Sequence, residues 1–342
     1  MLGCRTDEHL FVHAANGTKL CLGEVGLWTQ VGEVFQLAPR WCGDHCFDAL
    51  MNYPFGSLGL GFFGDTELLS DGGVGGDYTV HPLDGHTFAE GIHHMHSAYA
   101  EVEGKRPTYL HMNVLDSHDT TRALDMLKGD VMAIKLCVFF QMTMPGPPMI
   151  YYGDEVGVVG GRDPDNRRAF PWDTASWNVD LHNFYRQSIA LRRAHRVLRV
   201  GGYQQLELRY DGVEPLDQDK LHAFARWSTC SPSDAHSECP GDSMSDAGLD
   251  VAIVIFNAGI ETINDLAVGL SDLEVAEGTV FVSVWGEETA CKGVLGIGEG
   301  NMVKGIRLGP RSALVLLSQE RAIDCSQESE LDSEMFTSGL GI

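Results

Sequence analysis

The chain has 342 residues, 44% hydrophobic and 9% aromatic, enough to bury a sizeable core and too apolar for general disorder. Its formal net charge is −24, from 48 acidic against 24 basic side chains, which argues against nucleic acid and anionic membrane surfaces as partners, is compatible with a neutral substrate and selects none. Nine scattered cysteines, no signal-like apolar core after Met1 and no run of the roughly 18 apolar residues that a bilayer demands make a reduced, cytoplasmic setting the expectation.

In chain order, residues 7–15 read as a helix, with Thr6 or Asp7 as its N-cap. A short apolar strand over 19–24 ends in the carboxylate of Glu24, and a second covers 47–53. Helical spacing over 88–102 puts Phe88, Ile92, Met95 and Tyr99 on one stripe. A third strand, over 109–115, delivers Ser117-His118-Asp119-Thr120 and then Arg122. Residues 131–144 form a mostly apolar helix suited to packing on a sheet. A fourth strand over 148–152 runs into Gly153-Asp154-Glu155, and a helix over 181–195 carries its arginines near the C-terminus, where the helix dipole favours cations. Strand and helix alternate throughout this part, which is the pattern of a βα architecture over residues 1–199.

After Gly201-Gly202 the texture changes to short β-prone runs at 221–227, 251–256, 280–285 and 313–317, separated by Gly, Asn and Asp. These predict a small antiparallel β-sandwich over 200–318, with a solvated insertion near 228–248 and a disordered acidic tail over 319–342.

A polar pair at the C-terminal end of a strand is how a barrel enzyme presents its chemistry. Cleavage of a glycoside with retention needs two carboxyl groups about 5 to 5.5 Å apart, one attacking the anomeric carbon and one protonating the leaving oxygen. Glu24, at a strand end where partial burial raises a carboxyl pKa, suits the proton donor. A strand-end glutamate alone is an ordinary surface residue, so the surrounding blocks decide. In order they are Gly23-Glu24-Val25, Phe47-Asp48-Ala49-Leu50-Met51-Asn52-Tyr53, Ser117-His118-Asp119-Thr120-Thr121-Arg122, Met149-Ile150-Tyr151-Tyr152-Gly153-Asp154-Glu155, Asp163-Pro164-Asp165-Asn166-Arg167-Arg168 and Phe170-Pro171-Trp172-Asp173.

Together these blocks resemble the latter half of a neopullulanase, cyclomaltodextrinase or maltogenic-amylase type enzyme of the α-amylase family (glycoside hydrolase family 13), over roughly residues 15–318. The resemblance implies the second half of a (β/α)8 barrel, four βα units with strands ending near Glu24, Tyr53, Asp119 and Glu155, followed by a small all-β sandwich. It implies Glu24 as general acid/base, Asp119 as the carboxylate that stabilises the transition state, and His118 as a donor to the same sugar. It places Arg122, Asp163 and Arg167 among the substrate-binding residues, with Tyr53, Tyr152 and Trp172 as stacking faces; ordinary packing is an equal reading for those three aromatics. The partner is an α-glucan or malto-oligosaccharide.

Two features depart from the family. The position two after Glu24, where the family has Trp, is Gly26, with Trp28 two further on. Gly3-Cys4-Arg5-Thr6-Asp7 has the letters of the family's Gly-x-Arg-x-Asp nucleophile motif, but Asp7 stands only 17 positions before Glu24, too few for the required strand and crossover helix, so the nucleophile strand is expected to fall before Met1. The expectation is therefore a chain truncated at its front, without a nucleophile and inactive alone. Alternatives are a non-catalytic glucan-binding protein and a half-barrel completed by a partner chain. No cofactor or metal is expected, calcium sites in the family lying largely in the half that is not represented. Cys42-Gly43-Asp44-His45-Cys46, the His93/His96 pair and Gly72-Gly73-Val74-Gly75-Gly76 all have blander readings as loop, solvated helix face and connection.

Overall fold

The computed structural model describes residues 11–13, 19–21, 50–64, 70–71, 78–100, 107–210, 220–229, 249–270, 273, 275, 278–286, 295–298 and 300–319. Glu24 lies outside them, as do residues 230–248 and 320–342, which hold nearly all of the expected insertion and tail.

Strands β1 (Phe11–His13) and β2 (Lys19–Cys21) pair antiparallel with each other. This corrects the helix expected over 7–15: Phe11-Val12-His13 is a β-prone triplet, and the sequence that separates it from Lys19 contains Asn16-Gly17, a hairpin-favouring dipeptide. Short strands β4 (Ser70–Asp71) and β5 (Tyr78–Thr79) form a second antiparallel pair.

β3 (Met51–Asn52), β6 (Met112–Val114) and β7 (Pro148–Met149) form a parallel sheet in the order β3-β6-β7, with Asn52 opposite Asn113 and Val114 opposite Met149. The strand expected to run through Tyr53 stops at Asn52, whose side chain accepts from Phe55 N and caps helix α1 (Tyr53–Phe63), with Pro54 in its first turn. α1 lies so close to the sheet that a Cβ on Gly56 would sit 2.5 Å from the Val114 carbonyl, and every residue of the helix is buried.

Helix α2 (Gly85–Ala100) buries its Phe88, Ile92, Met95 and Tyr99 stripe. A single turn, α3 (Ala123–Met126), leads to α4 (Val131–Thr143), which Asp130 caps by accepting from Met132 N and Ala133 N. α4 is mostly apolar because it is buried from Ala133 to Thr143 apart from half-buried Lys135, with Met132 in its first turn exposed. Phe140 stacks on Phe55 of α1 at 4.5 Å, while Phe139 stacks on Trp285 of the β domain at 4.6 Å. α5 (Val179–Ala194), capped by Asn178, and α6 (Arg196–Val200) complete the helical layer.

Nine further strands make one antiparallel sheet in the order β8-β10-β11-β16-β13-β14-β15-β12-β9. They are β8 (Gly202–Gln205), β9 (Glu207–Arg209), β10 (Leu221–Thr229), β11 (Leu249–Asn257), β12 (Ile263–Gly269), β13 (Val280–Trp285), β14 (Leu295–Gly298), β15 (Met302–Leu308) and β16 (Ser312–Gln319). The period-2 alternation of side chains divides its apolar residues between two cores. Ala223, Ala225, Ile253 and Ile255 join Val268, Phe281 and Val303 inside the β domain, whereas Phe224, Val254, Phe256 and Val315 face the helices and belong to their core.

Two buried arginines close this junction without any carboxylate. Arg226 of β10 donates to the carbonyls of Thr143, Leu198, Gly201 and Gly202, and Arg192 of α5 to those of Met142, Met144, Gly146 and Leu198. Several of these acceptors are at the C-terminal ends of α4 and α6, the negative ends of the helix dipoles. Burial pulls the Arg226 pKa down to about 9 and that of Arg192 to about 10, the like charge of a neighbouring arginine adding to the effect at each.

Candidate active site

The start of α1, directly after β3, and the loops that follow β6 and β7 meet at one end of the parallel sheet. After β6 the chain makes a tight turn in which Ser117 N donates to Thr120 Oγ1 (2.9 Å) and Asp119 N to Ser117 Oγ (3.0 Å). The turn lifts His118 and Asp119 outward, His118 Nε2 lying 3.3 Å from Asp119 Oδ1, with side chains 52% and 22% exposed. From the loop after β7, Arg167 reaches the same point. Its Nε donates to the His118 carbonyl (3.1 Å) and lies 2.9 Å from Asp163 Oδ1 in an ion pair, and its Nη2 lies 3.7 Å from Asp119 Oδ1. His118, Asp119, Asp163 and Arg167 therefore form one open polar cluster, able to donate to and accept from a ligand rich in hydroxyl groups.

Trp172 is 84% exposed, touching Phe170 at 4.8 Å and leaving most of its ring open. Tyr152 is 40% exposed and anchors its hydroxyl on the Arg168 carbonyl at 2.9 Å. Tyr53 is placed differently from the expectation of a stacking face: it is buried, and its hydroxyl pairs with Ser117 Oγ at 3.0 Å, bracing the turn from beneath.

Arg122 also requires correction. Expected among the substrate contacts, it is completely buried, its guanidinium donating to Asn166 O (2.8 Å), Tyr152 O (2.6 Å) and Asp154 Oδ1 (3.0 Å) and lying 3.9 Å from the Tyr151 ring centroid. The backbone N–H of Arg122 donates to Gly160 O, which turns the side chain beneath the loops instead of out of them.

Three residues that sequence reasoning passed over sit around Arg122. Asp116 and Asp154 are buried carboxyl groups that hydrogen-bond to each other. Burial raises both pKa values; at Asp154 the charge of Asp116 adds to the rise, while Arg122 opposes it at each. Asp116 Oδ2 accepts from Ala123 N at 2.6 Å, and its Oδ1 has a donor only when the pair retains a proton. One proton shared by two carboxylates beside one guanidinium leaves the buried trio electrically neutral. Asn166, the third residue, is fully buried and donates to the carbonyls of His118 and Thr120, both at 2.8 Å. The available signal for Asp116 and Asp154 is a carboxylate directly after a buried strand segment. Asn166 has no comparable signal, standing in a run of charged loop residues.

Among the described residues no group of three or more His, Cys, Asp or Glu is arranged to hold a metal, and no helix is long and apolar enough to cross a membrane. His96 packs its ring edge-on against Tyr203 at 4.4 Å, while exposed His93 pairs with Ser97 Oγ.

The profile of the α-amylase catalytic domain matches residues 11–188. The chain belongs to the α-amylase family. It is 36% identical over 171 residues to a cyclomaltodextrinase of Geobacillus thermopakistaniensis, an alignment covering 50% of this chain and 26% of that protein. It is 35% identical over 202 residues to neopullulanase 2 of Thermoactinomyces vulgaris, covering 57% and 29%. The solved debranching enzyme of Nostoc punctiforme superposes with a TM-score of 0.57 at 29% identity, over 81% of this chain and 49% of the enzyme. The chain thus spans little more than a quarter of these curated relatives and about half of the solved structure. The parallel strands and their helices are part of a (β/α)8 barrel, and β8 to β16 form the β domain that follows it.

Proposed function

We propose that this α-amylase family chain acts on α-glucans. In this reading His118 and Asp119 grip the sugar at the cleavage point, Asp163 and Arg167 border its glycone side, Trp172 and Tyr152 offer ring faces, and Glu24 is the acid/base of a retaining cleavage of α-1,4 or α-1,6 glucosidic bonds. The observation that carries the reading is the convergence of His118, Asp119, Asp163 and Arg167 from two loops on one solvent-facing cluster. Asp119 is suited to hold sugar hydroxyls and to oppose positive charge developing at the anomeric carbon, since preorganised charge is what an oxocarbenium-like transition state rewards. The nucleophile is assigned to no residue of this chain, so the reading includes binding by the isolated chain without turnover. Malto-oligosaccharides, cyclodextrins or pullulan are the substrates in this reading, the last two supported by the likeness to a cyclomaltodextrinase and a neopullulanase. A cytoplasmic setting belongs to the same reading, supported by nine cysteines with no framework pattern.

A second reading, in which another polypeptide completes the barrel, is favoured by the edges of the parallel sheet. Among the described residues β3 and β7 each have β6 as their only strand neighbour, and Leu110 and Met112 beside them are 48% and 39% exposed.

The test is calorimetric titration of the purified chain with maltotriose and β-cyclodextrin, with product chromatography alongside. Saturable binding that His118→Gln and Asp119→Asn each weaken at least about tenfold supports the reading. Absence of binding to every glucan sinks it, and release of shorter sugars would overturn the assignment of no nucleophile.

A further inference from the structure

We infer that Asn166 is the positioning residue that sets where His118 and Asp119 stand, by locking the loop that carries them to the loop that carries Asp163 and Arg167. The inference deepens the glucan-gripping reading and rests on it. Asn166 has no exposed surface, and its Nδ2 donates at 2.8 Å to each of two carbonyls, those of His118 and Thr120, which flank Asp119. Both neighbours are acceptors, so only the amino side of the amide can face them, and its orientation follows from the chemistry. The other end of the amide, Oδ1, is buried without a partner. A buried acceptor left unmade is costly, and the cost is borne here by a side chain that puts both of its donors on the same turn.

The clamp is itself held from below. Arg122 Nε donates to the backbone carbonyl of Asn166 at 2.8 Å, and Arg122 is fixed by Tyr152 O and Asp154. One residue on, Arg167 carries the polar contacts to Asp163, to His118 O and toward Asp119. Asn166 is thus the internal bond and Arg167 the external one between the same two loops. Without the internal bond, exposed His118 and half-buried Asp119 are tied to the neighbouring loop through the solvent-accessible contacts of Arg167, which hold geometry poorly.

The experiment uses the full 342-residue chain with Asn166→Asp, which keeps the shape and turns the double donor into an acceptor facing two carbonyls. The control is Val254→Ala, in the remote core between helices and β domain. The readouts are the imidazole signals of His118 in 1H–15N spectra, assigned by their loss in His118→Gln, and maltotriose affinity by calorimetry. Asn166→Asp is expected to move the His118 signals and weaken maltotriose about tenfold, with both unchanged in Val254→Ala. Unmoved signals, unchanged affinity, or equal effects in the control overturn the inference. Wild-type chain that binds no maltotriose defeats the glucan reading, and the His118 signals then decide the positioning claim alone. Should Asn166→Asp fail to fold, Asn166→Ala, which removes both donors without adding charge, is judged by the same two readouts.

Discussion

Replacing His222 with phenylalanine should remove a defined part of the protein's sensitivity to acid. His222 lies in β10, fully buried between the helices and the β domain, with its ring edge-on to Phe88 at 4.8 Å and its Nε2 unpartnered. Burial pushes its pKa from 6.5 down to about 3. The folded value is depressed, so the associated stability is fully present above about pH 6.5 and is lost as pH falls from there towards the folded value, because only the unfolded chain takes up the proton. At pH 5 the unfolded state gains RT ln(1 + 10^1.5), about 2 kcal/mol, whatever the folded value, provided it lies well below 5. His111, which accepts from Leu50 N and is pushed down to about 4 by burial, adds a second contribution of the same sign and survives the substitution. Urea unfolding of both proteins at pH 8 and pH 5, followed by tryptophan fluorescence, measures the difference. Wild type should lose about 2 kcal/mol more than His222→Phe between the two pH values, and any packing cost of the larger ring is common to both. Equal losses in the two proteins would refute the burial of a neutral imidazole at this position.

Asp154→Asn should stay within about 1 kcal/mol of wild type, since an amide reproduces the protonated carboxyl by accepting from Arg122 and donating to Asp116, whereas Asp154→Ala should cost about 3–5 kcal/mol by leaving Arg122 and Asp116 without that bridge. Equal losses for the two variants in urea would exclude the shared proton. Arg226→Met should cost at least about 3 kcal/mol, because four carbonyls lose their donor at once, with Arg226→Lys intermediate; thermal unfolding of the methionine variant at the wild-type temperature would disprove the role. Trp172→Ala should weaken maltotriose about tenfold and leave stability within about 0.5 kcal/mol, and unaltered affinity would remove Trp172 from the sugar-binding surface.

What was legible in the sequence was what depends on local pattern. The α2 stripe, the apolar α4 and the delivery of His118-Asp119 by a strand end follow from periodicity and from a polar pair after an apolar run. The start of α1 at Tyr53 was equally local, since Asn52 and Pro54 are cap and first-turn signals, but the apolar texture outweighed them. The fates of Arg122 and Tyr53 were not legible, because a charged or aromatic residue beside a site reads the same whether it points out or under. Direction there is set by partners 30 to 64 positions away in sequence, Tyr152 and Asp154 for Arg122, Ser117 for Tyr53. Asn166 depends on contacts 46 and 48 positions away and carries no periodic signal at all.

The sharing of β10, β11 and β16 between two cores has a consequence for how such a chain can be altered. A cut near residue 200 would not release two modules but would expose the row of Phe224, Val254, Phe256 and Val315 to water and leave Arg226 facing carbonyls that have departed. The barrel part and the β domain are therefore one heritable unit. A β domain grafted from a relative would have to bring a matching row and a matching arginine, so exchange by recombination at this seam should be far rarer than exchange at the surface loops.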